Sequence, residues 1–258
     1  MSALNITIIQ ADLRWHDAAA NCEYFEGVIN DLADPGDLIV LPEMFSTGFT
    51  MDVQIQAERF NGPSVKWMRR IAAERNTCLC GSLIIEDNGH FLNRFILMRP
   101  DGSHALYDKR HLFRLADEHR YYSAGAKIVT FDINDFRICP MICYDLRFPV
   151  WSRNRDRYDL LLYVANWPSR RHFAWETLLR ARAIENLAYV AGVNRVGTDG
   201  NDHPYVGGSA VIDYLGADIV DLGEDIAVAT ASLDLAALNA FREKLAFHLD
   251  ADEFLIST

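Results

Sequence analysis

Four residues in this sequence combine a reactive side chain with a setting that suits chemistry at a carbonyl group: Glu43, Lys109, Glu118 and Cys143. Cys143 ends the apolar run of PMICYDLRFPVW, residues 140–151, and Pro149 stands where a following helix can begin. A strand–turn–helix of this form is a candidate nucleophile elbow, which lifts a side chain off the end of a sheet and leaves backbone N–H groups beside it. A thiol there can form a thiolate and attack a carbonyl carbon, and a nearby Lys109 ammonium would favour that thiolate. Glu43, in LIVLPEMFSTGF (residues 38–49), follows a buried-type strand and a proline. That setting puts it at a sheet edge, and a carboxylate kept partly from water can take and return a proton. Lys109 and Glu118 lie in YDKRHLFRLADEHRYYSAG, residues 107–125. Lys109 closes a strand leaving the Pro100-Asp101-Gly102 turn, and Glu118 falls in a polar, aromatic loop. A fixed ammonium beside a developing oxyanion stabilises a tetrahedral intermediate. Taken singly, each residue has a plainer reading: a small core thiol, an edge carboxylate bonding loop amides, and a solvated run of charge.

The elements that must position these groups are legible as a mixed α/β pattern. Strand-like runs cover residues 4–10, 38–41, 77–85, 91–99, 128–131, 136–142, 160–165, 188–194 and 208–212. Apolar residues at helical spacing cover 17–32, 64–75 and 173–186, the first ending before Asp34-Pro35-Gly36. Asp87-Asn88-Gly89, Pro100-Asp101-Gly102 and Tyr214-Leu215-Gly216 mark hairpins. Helices after the strands that end near Gln10 and Ile142 point to crossovers. Neither a linker nor an internal repeat divides the chain, so one domain over residues 1–258 is expected, with helices outside two packed sheets.

Composition narrows the classes of function. A net charge of −11 argues against a nucleic-acid partner, which needs clustered Lys and Arg. No stretch approaches the roughly 20 apolar residues that cross a bilayer. The opening MSALNITIIQAD lacks a basic region and reads as a first strand, not a signal peptide. With five cysteines, an odd number, reduced thiols in a cytoplasm are expected. Cys139 and Cys143 on one strand would lie about 13 Å apart, too far for a disulfide. Cys78 and Cys80 share a strand face and read as core.

Together the three segments resemble the nitrilase superfamily of carbon–nitrogen hydrolases, whose Glu, Lys and Cys occur in this chain order with these flanking residues. The likeness runs from ITIIQADLRW to GGSAVI. It is nearest the bacterial omega-amidase branch, through KRHLFRLADEHRYYSAG, CYDLRFP, ANWP and RARAIENLAYVAGVNRVGTDG. The resemblance implies a four-layer α-β-β-α sandwich paired into homodimers, a small-molecule amide substrate, and neither cofactor nor metal. It also implies Cys143 as nucleophile and Glu43 as general base, with Lys109 and the Tyr144 backbone N–H holding the oxyanion. Glu118 would position the substrate and Lys109, while Asp145 and Arg147 brace the elbow.

A Cys–His pair using His111 or His119 lacks the flanking residues of papain-type enzymes. Asp117-Glu118-His119 alone makes no metal site, and no HExxH occurs. A non-catalytic relative would have no reason to keep all four reactive residues. The branch points to the omega-amide of a 2-oxo acid such as 2-oxoglutaramate, with a nitrile, an N-carbamoyl compound or another monoamide as alternatives. Arg114, Arg170 and Arg171 are candidates to meet such a substrate's carboxylate.

Overall fold

Period-two alternation of apolar side chains builds the first sheet, because successive residues of a strand face opposite ways. In the computed structural model, which describes residues 3–155 and 158–256, β1 (Ala3–Gln10) turns Leu4, Ile6 and Ile8 inward and Ile9 outward. β2 (Leu38–Val40), β3 (Cys78–Asp87) and β4 (His90–Met98) repeat the pattern. Their inward residues include Val40, Cys80 and Leu97, and their outward ones Ile39, Leu79 and Ile96. β5 (His104–Asp108) and β14 (Ala227–Asp234) complete a sheet ordered β14-β1-β2-β3-β4-β5. β1, β2 and β3 run parallel, and the remaining pairs are antiparallel. α1 (Ala18–Asn30) and α3 (Pro63–Arg75) cover its outer face with Phe25, Ile29, Met68 and Ile71. α2 (Val53–Gln56) is a single turn.

The second sheet is ordered β13-β12-β9-β8-β7-β6. Its centre is parallel: β7 (Phe136–Ile142), β8 (Leu160–Val164) and β9 (Tyr189–Val193). β6 (Phe131–Ile133), β12 (Ala210–Ile212) and β13 (Asp218–Asp221) flank it in antiparallel pairs. α4 (Pro149–Ser152) is one turn in the β7–β8 crossover. α5 (His172–Asn186) lies on the outer face and buries Trp175, Leu179 and Ala183. α6 (Leu235–Lys244) adds Leu238, and its Arg242 Nη1 donates to Asp159 at 2.6 Å. β10 (Val196–Thr198) and β11 (Pro204–Val206) form a separate ribbon.

One apolar cluster joins the inner faces of both sheets, so the layers run helix, sheet, sheet, helix. This is the expected α-β-β-α sandwich. Two strand starts differ from expectation by two residues or more. The run expected at 128–131 starts at Phe131, where pairing with β7 begins, and Asn134 takes the turn at φ 51°. The run expected from residue 208 starts at Ala210, because Gly207 and Gly208 adopt φ 70° and 73°. Among the described residues no helix is long and apolar enough to cross a membrane.

Candidate active site

Strand ends deliver three of the four reactive side chains to one place, and a 3-10 turn delivers the fourth. Glu43 follows β2, and the chain turns just beyond it at Met44, which has φ 43° and whose N–H donates to Ser82 Oγ at 2.9 Å. Lys109 follows β5, its N–H donating to the Asn93 carbonyl at 3.0 Å. Cys143 follows β7 and opens the 3-10 helix Cys143–Arg147 with φ 44°. Positive φ is costly for a residue with a Cβ, and such strain gathers at functional sites. Glu118 opens the 3-10 turn Glu118–Arg120 after Asp117, which has φ 57°. The site therefore sits outside the carboxyl ends of strands from both sheets, where α/β folds commonly bind ligands.

Lys109 is the hub. Its Nζ donates to Glu43 Oε1 at 2.9 Å and to Glu118 Oε1 at 3.0 Å, and it lies 5.1 Å from the Phe49 ring centroid. All three charged side chains are cut off from water. Asn93 Nδ2 donates to Glu43 Oε1 at 2.7 Å, and the Asn166 N–H to Glu43 Oε2 at 2.8 Å. The Phe113 N–H donates to Glu118 Oε2. Desolvation pulls the Lys109 ammonium down, but Glu118 and Glu43 outweigh it and hold the group well above the usual lysine range. Desolvation raises Glu118 despite Lys109 beside it.

Cys143 is half-buried, with Sγ 3.9 Å from the Asn166 carbonyl oxygen. Desolvation and the Glu43 carboxylate push its thiol well above the ordinary range, against the opposing pull of Lys109. Lys109 pulls toward the thiolate as expected, while burial and the two carboxylates pull the other way.

Asp145 braces the turn as expected. Its Oδ2 accepts from Tyr107 Oη at 2.7 Å and from the Ile142 N–H at 3.0 Å, and its Oδ1 from the His111 N–H at 2.9 Å. His111 Nδ1 lies 2.8 Å from the same Oδ1 while its ring stacks on Phe148 at 3.7 Å, so this histidine belongs to the brace. Arg147 departs from expectation: its guanidinium lies 5.0 Å over the Trp167 ring and lines a cavity. Lys109, Cys143 and Tyr144 also line that cavity, of about 270 Å³. Arg170 and Arg171 line it too, whereas Arg114 is exposed and does not.

Sequence reasoning missed Asn93 and Asn166 as partners of Glu43. A polar residue amid the apolar run FLNRFILM was the available signal for Asn93, since a buried amide must find partners. Asn166 Nδ2 donates to the Glu43 carbonyl at 2.5 Å, so this residue holds both ends of Glu43. The cavity wall from the β10–β11 ribbon, including Asp199, His203 and Tyr205, was also unforeseen.

Comparison with known proteins gives the family. A family model described as carbon-nitrogen hydrolase matches residues 5–243. The chain is 47% identical over 259 residues to the omega-amidase YafV of Yersinia enterocolitica, covering 99% of this chain and 100% of that one. It is 30% identical to the 2-oxoglutaramate amidase of Bacillus subtilis, covering 93% and 94% respectively. Among solved structures, XC1258 of Xanthomonas campestris, a CN-hydrolase superfamily protein with an arsenic adduct in its active site, superposes with a TM-score of 0.97. That match is 45% identical and covers 100% of both chains. On the family model, the relatives and the shared fold, the chain belongs to the carbon–nitrogen hydrolase family.

Proposed function

We propose that the protein hydrolyses the omega-amide of a small 2-oxo dicarboxylic acid, 2-oxoglutaramate being the representative substrate, through a thioester on Cys143. The observation that carries this reading is the sharing of Lys109 Nζ between the Glu43 and Glu118 carboxylates in the cavity that also exposes the Cys143 thiol. The substrate assignment is supported by relatives named omega-amidase and 2-oxoglutaramate amidase.

Glu43 takes the thiol proton as Sγ attacks the amide carbon. Negative charge develops on the carbonyl oxygen, and the Lys109 ammonium and Tyr144 N–H stabilise it. The proton on Glu43 passes to the departing nitrogen, the C–N bond breaks and ammonia leaves. Water then gives a proton to Glu43 and attacks the thioester carbon; the C–S bond breaks, Glu43 returns the proton to sulfur, and the carboxylic acid leaves. Glu118 keeps Lys109 aimed at the oxyanion through its own hydrogen bond. The reading further takes residues 1–258 as one domain. It places the protein in a cytoplasm, consistent with free thiols at Cys22, Cys78, Cys80, Cys139 and Cys143.

A panel of 2-oxoglutaramate, a neutral monoamide, a nitrile and an N-carbamoyl compound, assayed for ammonia release, tests the assignment. The omega-amide should have the highest kcat/KM. Preference for the nitrile or the N-carbamoyl compound would overturn the substrate while leaving the cysteine chemistry in place.

A further inference from the structure

Several arginine side chains elsewhere in the fold find carboxylates. Arg180 pairs with Asp218, Arg182 with Glu185, Arg195 with Asp12 and Arg242 with Asp159. Arg147, Arg170 and Arg171 differ. They line the cavity that holds Cys143, and among the described residues none has an ion pair or donates a side-chain hydrogen bond to the protein. Two of them are nevertheless fixed in place. The Arg171 guanidinium lies 4.9 Å over the Phe113 ring, and that of Arg147 lies 5.0 Å over Trp167. Stacking covers the flat faces and leaves the N–H edges available.

We propose that Arg147 and Arg171 form the anion-binding part of this cavity, gripping the substrate carboxylate by their guanidinium edges while the amide lies at Cys143, and that exposed Arg170 draws the anion in. The assignment rests on the omega-amidase reading for the identity of the amide, but the anion site itself stands on the arginines. Three cations that repel one another at a partly enclosed surface need a counter-charge. Desolvation, then the neighbouring Arg170, and Arg147 as well, lower Arg171 from its ordinary value. The carboxylate that lines the cavity, Asp199, is already occupied. Its Oδ1 accepts from the Asn201 and His203 N–H groups at 2.8 and 3.0 Å, and its Oδ2 from Tyr205 Oη at 2.9 Å.

The same arrangement carries a specificity. A 2-oxo acid offers only acceptors to these arginines, whereas an α-amino acid amide such as L-glutamine carries an ammonium beside its carboxylate. That ammonium would meet cations, with Asp199, Glu43 and Glu118 already engaged. The cavity should therefore discriminate against L-glutamine by on the order of 10²-fold or more in kcat/KM.

The test compares wild type with Arg171→Met and Arg147→Met, which keep length and apolar contact, on 2-oxoglutaramate and on its neutral methyl ester. A second arm measures 2-oxoglutarate binding by calorimetry in Cys143→Ala with and without Arg171→Met. Each arginine variant should lose about 10- to 100-fold in kcat/KM on the acid, mostly through KM, as expected for a lost hydrogen bond to a charged group. The ester should be little affected, Arg171→Lys should recover part of the loss, and calorimetric binding should weaken in parallel. Equal losses on acid and ester, or unchanged binding in the Arg171→Met background, would overturn the anion site. If wild type fails to release ammonia from 2-oxoglutaramate but dicarboxylate binding still depends on Arg171, the omega-amidase reading falls and the arginine site stands.

Discussion

Around Lys109 Nζ, two buried carboxylates share one ammonium, and the balance of charge governs how protons move. Glu43 is tied by Asn93, Lys109 and Asn166, so its carboxylate holds one orientation toward the thiol. Glu43→Gln keeps the shape and removes the base, and kcat should fall on the order of 10²–10⁴-fold. Steady-state ammonia release checks this, and near-normal turnover would mean the base lies elsewhere. The pH profile follows from the directions of the shifts. Glu118 is raised, so as pH falls it protonates earlier than an ordinary glutamate, and its bond to Lys109 weakens. The acid limb of kcat/KM should therefore begin above the usual carboxylate range and move to lower pH in Glu118→Gln. Lys109 is raised, so it stays charged through mildly alkaline pH and sets no limb there. An acid limb unmoved in Glu118→Gln would remove Glu118 from the profile. At this scale the four reactive residues were legible, because each follows a strand end or sits in a segment of distinctive composition. The state of the thiol was not, since it depends on desolvation and on carboxylates that the chain brings from 100 and 25 residues away.

At the scale of elements, the site depends on the ends of β2, β5 and β7 meeting across two sheets, and the packing of α5 helps hold the second sheet. Gly192 in β9 lets that helix approach: a Cβ there would fall 2.6 Å from Leu179 Cδ1 and 2.9 Å from Trp175 Cζ2. Both neighbours are buried, so Gly192→Ala should overpack the layer and cost about 1–3 kcal/mol. In a chain of this size that lowers Tm by roughly 2–4 °C per kcal/mol. Calorimetry showing an unchanged Tm would mean the helix shifts without cost. The strands with continuous or alternating apolar runs, such as β1, β3 and β8, were readable from periodicity alone. β14 was not. It reads AVATASLD, small and mostly exposed, and owes its existence to an eight-residue antiparallel register with β1. α6 escaped for a similar reason, since Leu238 is its buried residue and Arg242 secures it by reaching Asp159. The β10–β11 ribbon is too short to show a period, although it walls the cavity.

For the whole molecule, two sheets closed over a shared core give the four reactive residues a rigid floor, while α5 leaves Phe173 and Ile184 exposed on its outer side. Apolar side chains so placed favour burial against a second copy, and a two-fold pairing is the closed arrangement that suits one self-complementary face. Sedimentation should show a dimer, and Phe173→Asp with Ile184→Asp should shift it toward monomer; a wild-type monomer at all concentrations would refute the pairing. The central claim, that this fold performs omega-amide hydrolysis through Cys143, is tested most directly by one comparison. It is the rate of ammonia release from 2-oxoglutaramate by wild type and by Cys143→Ala, with circular dichroism confirming that both are folded. The account predicts steady release by wild type and none above background in the variant; release by folded Cys143→Ala at a comparable rate would contradict it.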